Sequence, residues 1–320
     1  MTKARRVLLE RIEAAPRLID PVFLASPQFE CEPLGDALGV RLFLKVETMN
    51  PIRSFKGRGA ELYLARDAGD GPLVCASAGN FGQAMAYACR SRALPLTVFA
   101  AESANPLKVE RMRALGADVR LAGNDFDAAK DAARAFADAG GGRFVEDGRE
   151  PAIAEGAGTI ALEMVAAEPQ LDAVFVPLGN GALLAGVATV LRARLPSARV
   201  VAVAARGAPA MARSLAAGRP LASERAATIA DGIAVRVPVP EAVDDLAGLV
   251  DETRLVGDDD IVRAMRLLHR HAGAVVEPAG AVGVAALLCD ADDWLGARVA
   301  TVLCGSNVAP ERARAWLGAG

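Results

Sequence analysis

The sequence predicts an α/β protein, with parallel sheets flanked by helices and the chain folded as two lobes. Three observations predict it. Short β-rich runs alternate with longer Ala-rich amphipathic segments, proline or glycine punctuates most boundaries between them, and no internal repeat or long linker breaks the pattern. At 320 residues, 52% hydrophobic and 23% charged, the chain is long enough for a large core and has the profile of a globular enzyme.

Taken in order, the first strand is expected over 41–46 (RLFLKV), and a helix over 54–68 follows the turn at Pro51. A strand over 73–76 (LVCA) leads through a small-residue turn into a helix over 81–92. The strand over 96–100 (LTVFA) precedes a helix over 106–115 that opens on Pro106, and the strand over 117–121 follows Gly116. A helix over 125–139 then gives way to "AGGGR" from Ala139 and "VEDGREP" from Val145, where glycine and charge replace the periodic pattern. These two stretches are the expected hinge between the lobes. Beyond it come a helix over 156–167, a strand over 173–176, a helix over 183–195, a strand over 200–204 (VVAVA), a helix over 258–271 and a strand over 299–304. The division expected is a large lobe of residues 1–72 with 148–320, and a small lobe of residues 73–147.

Composition removes several classes of function. The net charge is −3 and no dense block of Lys or Arg is present, so neither nucleic acid nor an anionic membrane is an expected partner. Apolar runs such as VVAVAA from Val200 are far too short to span a bilayer. Glu10 and Glu13 interrupt any signal region in the basic N-terminus, and a cytoplasmic protein is expected. With the chain ending soon after Trp316, no regulatory extension is expected either. Cys31, Cys75, Cys89, Cys289 and Cys304 form no CxxC pair, which argues against a zinc site or a disulfide framework. The two histidines, His269 and His271, stand two apart on one expected helix and point in different directions. A hydrolase built on histidine is therefore disfavoured. Lysine becomes the leading candidate for proton chemistry.

Lys56 stands in "NPIRSFKGRG", between Phe55 and Gly57. A surface lysine needs no such neighbours; one that reaches a bulky cofactor gains an apolar wall and room. Three turns lie at the ends of expected strands, where ligands of open α/β sheets gather. In "ASAGNFGQ" from Ala76, small residues let backbone amides approach an anion and Asn80 is a cap or ligand donor; alone, this reads equally as an ordinary capped turn. In "VPLGNGALLAG" from Val176, residues 179–182 expose N–H groups at a helix start, either for a phosphate or for tight helix–sheet packing. In "TVLCGSNV" from Thr301, Cys304 ends a strand, and "VVEPAGA" from Val275 presents Glu277 before a helix start. Each has a plain structural reading too, as a buried cysteine and a helix cap.

Taken together, "SFKGRGA", "SAGNFGQ", "PLGNGALLAG", "ADGIAV", "EPAGA" and "CGSN" resemble the fold-type II pyridoxal-phosphate enzymes (tryptophan synthase beta-like), in the same order. With "GAGTIALEM" from Gly156, the chain most resembles the serine/threonine dehydratases, or ammonia-lyases, from about Arg41 to the C-terminus. The resemblance implies that Lys56 holds pyridoxal 5'-phosphate as a Schiff base, that Phe55 packs beside the ring and that Asn80 bonds its 3-hydroxyl. It implies that Gly179, Asn180, Gly181, Ala182 and Leu183 bind the phosphate, that Gly232 lies near the ring and that Cys304 faces the pyridine nitrogen. Ser77, Ala78, Gly79, Asn80 and Gln83 would receive the substrate carboxylate, with Glu277 a further carboxylate in the cleft. A homodimer acting on a small amino acid is implied as well.

The implied activity is elimination of the β-substituent of an amino acid such as L-threonine or L-serine, giving a 2-oxo acid and ammonia. A neutral Cys304 would leave the cofactor a milder electron sink, favouring prompt β-elimination over transamination. Several residues depart from the dehydratase pattern and bear on the substrate: Phe81 replaces a usual histidine, "VEDGREP" replaces "PFD"-like residues, and Asn180 and Ala182 intrude into a usual run of glycines. The turn after Val203 reads "AARG", without the acidic residue that binds a cation in some relatives, and no metal is expected. A racemase, a β-replacement synthase and a catalytically inactive cofactor-binding protein are the alternatives. Racemases of the family carry serine where this chain has Ala78, and the synthases read "SVKDR" and "SSGNTG".

Overall fold

Apolar, β-branched runs form the centre of the molecule because parallel strands are buried on both faces. The computed structural model describes residues 5–318. Among these, ten strands make two sheets: β1 Gln28–Glu30, β2 Arg41–Val46, β3 Leu73–Ala76, β4 Leu96–Ala100, β5 Asp118–Leu121, β6 Arg143–Val145, β7 Ala173–Pro177, β8 Arg199–Ala205, β9 Glu252–Val256 and β10 Arg298–Leu303. The larger sheet has the order β1-β2-β10-β7-β8-β9. All its pairs are parallel except β1 with β2, and β2 meets β10 in register from Arg41↔Arg298 to Val46↔Leu303. The smaller sheet, β5-β4-β3-β6, is wholly parallel and drawn from one stretch of chain.

Helices cover both sheets. Pro151–Ala167 packs between Lys56–Arg66 and Ala182–Arg194 on the larger sheet, while Asn80–Ser91 and Phe126–Phe136 pack in the smaller unit. A buried ion network ties the first group together. Arg58, with no exposed surface, donates to Glu47 at 2.8 and 2.9 Å and to Glu163 at 2.6 and 2.9 Å, and Lys45 pairs with the same Glu163. Helix end, strand end and neighbouring helix are thereby joined by charge as well as by apolar contact.

Several expected boundaries shift for local reasons. The helix expected from residue 54 starts at Lys56, because Ser54 bridges Gly305 and the Phe55 N–H donates to the Cys304 carbonyl at 3.0 Å. The helix expected from 156 starts five residues earlier, with Pro151 in its first turn. The strand expected to end at Cys304 ends at Leu303. "AGGGR" is a turn into β6 within the smaller sheet, so only residues 146–150 cross between the sheets there. No helix among the described residues is long and apolar enough to cross a membrane.

Candidate active site

Lys56 is placed by the end of β10. The pairing of residues 54–55 with 304–305 starts its helix at the carboxyl edge of the larger sheet. Its Nζ lies 4.8 Å from the Phe55 ring centre and 6.0 Å from that of Phe81, and it donates to Asp147 Oδ2 at 2.6 Å. Cys304 is buried alongside. Burial, with the negative charge of Glu277 adding to it and Lys56 opposing it, pushes the thiol far above its ordinary range, so it stays neutral.

Asn80 opens the Asn80–Ser91 helix and is held from both sides. Its amide nitrogen donates to Glu277 Oε1 at 2.6 Å, and its oxygen accepts from Asn307 Nδ2 at 2.8 Å. Glu277 Oε2 accepts from the Asn307 N–H at 3.2 Å. Burial pushes the Glu277 carboxyl up; Lys108 opposes the shift and Asp231 adds to it. Gly305 makes the approach possible, since a Cβ there would fall 2.4 Å from Glu277 Oε1. Ser77 Oγ accepts from the N–H groups of Gly79 (3.1 Å) and Gly82 (2.9 Å), fixing the turn that leads into the helix. Its hydroxyl therefore also does the work of a cap.

Across the cleft, residues 179–183 lead into the Ala182–Arg194 helix. Gly181 has φ +92, a left-handed conformation that suits glycine, and it turns the chain into a helix whose first residues line the cavity and leave their N–H groups without intrahelical partners. A Cβ at Gly179 would come 2.9 Å from the Gly232 carbonyl oxygen, so the loop closes against the 231–233 turn. The cavity between these elements has a volume of about 760 Å³. A reachable lysine, an anion cradle of backbone amides and a neutral thiol around such a volume fit an anionic cofactor that carries a carbonyl group.

Every residue expected at the site lines this one cavity except Gln83: Phe55, Lys56, Ser77, Ala78, Gly79, Asn80, Gly179, Asn180, Gly181, Ala182, Leu183, Gly232, Glu277 and Cys304 all do. Gln83 is buried one turn along its helix, away from the lining, because that face packs inward. Sequence reasoning missed Lys108, Asp147, Asp231 and Asn307. Lys108 donates to Asp231 at 2.6 Å and Arg236 donates to Asp127 at 2.6 Å, so two ion pairs link the smaller unit to the 231–236 segment. Asp231 and Asn307 stand inside the quoted "ADGIAV" and "CGSNV" turns, which was the available signal; Lys108 resembles any helix-surface lysine. Among the described residues no cluster of three or more His, Cys, Asp or Glu side chains is arranged to hold a metal.

Fold and site fit an enzyme that works with an anionic carbonyl cofactor. Residues 19–305 match the family described as pyridoxal-phosphate dependent enzyme, and the chain belongs to that family. It is similar to an L-threonine ammonia-lyase of Thermotoga maritima, 35% identical over 305 residues that cover 94% of this chain and 76% of the relative. Among solved structures it is similar to the processed form of threonine deaminase isoform 2 from Solanum lycopersicum, with TM-score 0.89, 28% identity and coverage of 100% and 96% of the two chains. It is also similar to maize serine racemase, with TM-score 0.87, 27% identity and coverage of 95% and 94%.

Proposed function

We propose that this pyridoxal-phosphate-dependent enzyme is an ammonia-lyase that eliminates the β-substituent of a small amino acid such as L-threonine or L-serine, releasing a 2-oxo acid and ammonia. The observation that carries the reading is the pairing of Lys56 with a neutral, buried Cys304 in a cavity that Ala78 lines where racemases of the family carry serine. The names of the similar threonine ammonia-lyases and deaminases support it.

Lys56 would hold the cofactor, the 179–183 amides its phosphate, Asn80 its ring hydroxyl and Cys304 its ring nitrogen. When bound, pyridoxal phosphate supplies an electron-withdrawing ring that spreads the charge left at the substrate α-carbon. The chain does the rest. N–H groups of the 77–80 turn orient the substrate carboxylate, which sets the α-hydrogen toward Lys56 Nζ. Lys56, once freed by the substrate amine, takes that proton. Glu277 and Asn307 hold the Asn80 amide against rotation. A thiol that stays neutral cannot keep the ring nitrogen protonated, so lasting carbanionic charge is disfavoured and the β-substituent leaves early.

A racemase is the second reading, favoured by the likeness to maize serine racemase. Ala78 counts against it, since racemases of the family carry serine at this place in the turn. We further infer that residues 73–147 form a lobe closing on the one made by 1–72 with 148–320, and that the enzyme is a cytoplasmic homodimer; these rest on the family resemblance. The deciding experiment incubates the cofactor-loaded protein with L-threonine, L-serine and other β-substituted amino acids. Equal amounts of 2-oxo acid and ammonia are expected from at least one of them. Inversion of recovered substrate without either product would replace the lyase by the racemase.

A further inference from the structure

Asp147 is the carboxylate bonded to the lysine, and the turn that carries it does not need it there. Its Oδ2 accepts from Lys56 Nζ at 2.6 Å, with Asn180 Nδ2 at 3.5 Å from the same oxygen. Its Oδ1 is buried without a hydrogen-bond partner. The other carboxylates around the cavity are committed elsewhere: Glu146 to Arg134 and Lys130, Asp127 to Arg236, Asp231 to Lys108, Glu277 to Asn80 and Asn307. Asp147 is also held firmly. β6 ends two residues before it, and Gly148, at φ +89, turns the chain so closely against the phosphate-type loop that a Cβ would lie 2.7 Å from the Asn180 carbonyl oxygen. One oxygen thus accepts from the base at the wall of the cavity that Asp147 lines, and no other donor holds the second, so the carboxylate can carry a proton between base and cavity.

We propose that Asp147 is a catalytic residue that passes to the departing β-hydroxyl the proton which Lys56 removes from the α-carbon. The assignment rests on the lyase reading above. In the step, the α C–H bond breaks and its proton moves to Lys56 Nζ, while its electron pair becomes the Cα=Cβ bond. Nζ gives a proton to Asp147 Oδ2, and the carboxylic acid gives one to the β-oxygen. The Cβ–O bond breaks with its electrons on oxygen, water leaves, and Lys56 and Asp147 return to their starting charges. Nothing is oxidised or reduced. Hydroxide is a poor leaving group and needs this proton; chloride does not.

The test compares wild-type, Asp147→Asn and Asp147→Ser holoenzymes on L-serine and on β-chloro-L-alanine. Positioned acids contribute roughly 10²–10⁴-fold, so the ratio of kcat/KM for serine over chloroalanine is expected to fall about 100-fold in both variants. Borohydride reduction should still fix the cofactor on Lys56 in both, and the α-proton of L-serine should still exchange with deuterated solvent. A ratio unchanged from wild type overturns the proposal. So does loss of the Lys56 label in both variants, which would make Asp147 a support for the lysine only. A wild type that forms no 2-oxo acid from either compound defeats the lyase reading and this step with it; a wild type active on chloroalanine alone defeats the step and leaves elimination standing.

Discussion

In the proposed reading Cys304 sits at the cofactor's ring nitrogen, and its charge state bears on which reaction follows. With Glu277 and burial both opposing ionisation, the side chain is a hydrogen-bonding group without charge. Cys304→Ser is expected to keep elimination within about tenfold, because a hydroxyl is neutral as well. Cys304→Asp should favour a protonated ring nitrogen and divert part of the flux to racemisation or transamination. Product analysis of the two variants checks this, and an unchanged product ratio in the aspartate variant would place Cys304 away from the ring nitrogen. Ala78 is the complementary position. It lines the cavity where racemases of the family carry serine, so on the lyase reading wild-type protein should return leftover substrate with little inversion. Ala78→Ser should add measurable racemisation while elimination continues, as read by chiral chromatography at partial conversion.

At the scale of the element, the start of the Ala182–Arg194 helix carries the most chemistry for the fewest side chains. Gly181→Ala puts a Cβ into a left-handed residue, which costs roughly 1–2 kcal/mol, and places it 3.2 Å from Leu246 Cδ1. Affinity for pyridoxal phosphate should fall about tenfold or more, since RT ln 10 is about 1.4 kcal/mol, and affinity for pyridoxal, which lacks the phosphate, should fall much less. Equilibrium dialysis of both compounds measures the difference. The same element shows what a sequence can reveal. β7, β8 and β10 were readable because strands buried on both faces are almost unbroken apolar runs. β1 and β6 are three residues long, and β9 (ETRLV) alternates charge at a sheet edge, so none carried a signal above its surroundings. At the cavity, Lys56, Asn80 and Cys304 stood out in the sequence only through six short motifs in one order, since each turn alone also had a plain structural reading. Lys108 did not stand out, and Asp147 did so only as part of the quoted VEDGREP stretch, since their partners, Asp231 and Lys56, lie 123 and 91 residues away along the chain.

For the whole molecule, the ion network under Arg58 links stability to pH. Burial alone would raise the Glu163 carboxyl, but hydrogen bonds from Arg58 and Lys45 outweigh it and hold the group below its usual range. A carboxyl lowered by folding adds stability above its unfolded value, about 4.3, and loses it as pH falls through the folded value. Wild-type melting temperature should therefore drop as pH falls below about 4.5, and Glu163→Gln should melt lower at neutral pH with a shallower acid decline. Thermal unfolding of both proteins at a series of pH values reads this out. A steeper acid decline in the variant would mean that the network does not hold Glu163 ionised.

The pairing of β2 with β10 has a consequence for the newly made chain. Arg41 leaves the ribosome long before its partner Arg298, and β7 can reach β2 only through β10. At roughly 5–20 residues per second, that wait is on the order of tens of seconds. Over that interval β2 has an open edge and Lys56 has no strand end to start its helix against. The smaller sheet has no such delay, because its four strands come from one early stretch and can close while the rest is still being translated. If Lys56 holds the cofactor as proposed, its capture follows β10, and nascent chains stalled before β10 should resist protease over 73–145 while taking up no pyridoxal phosphate.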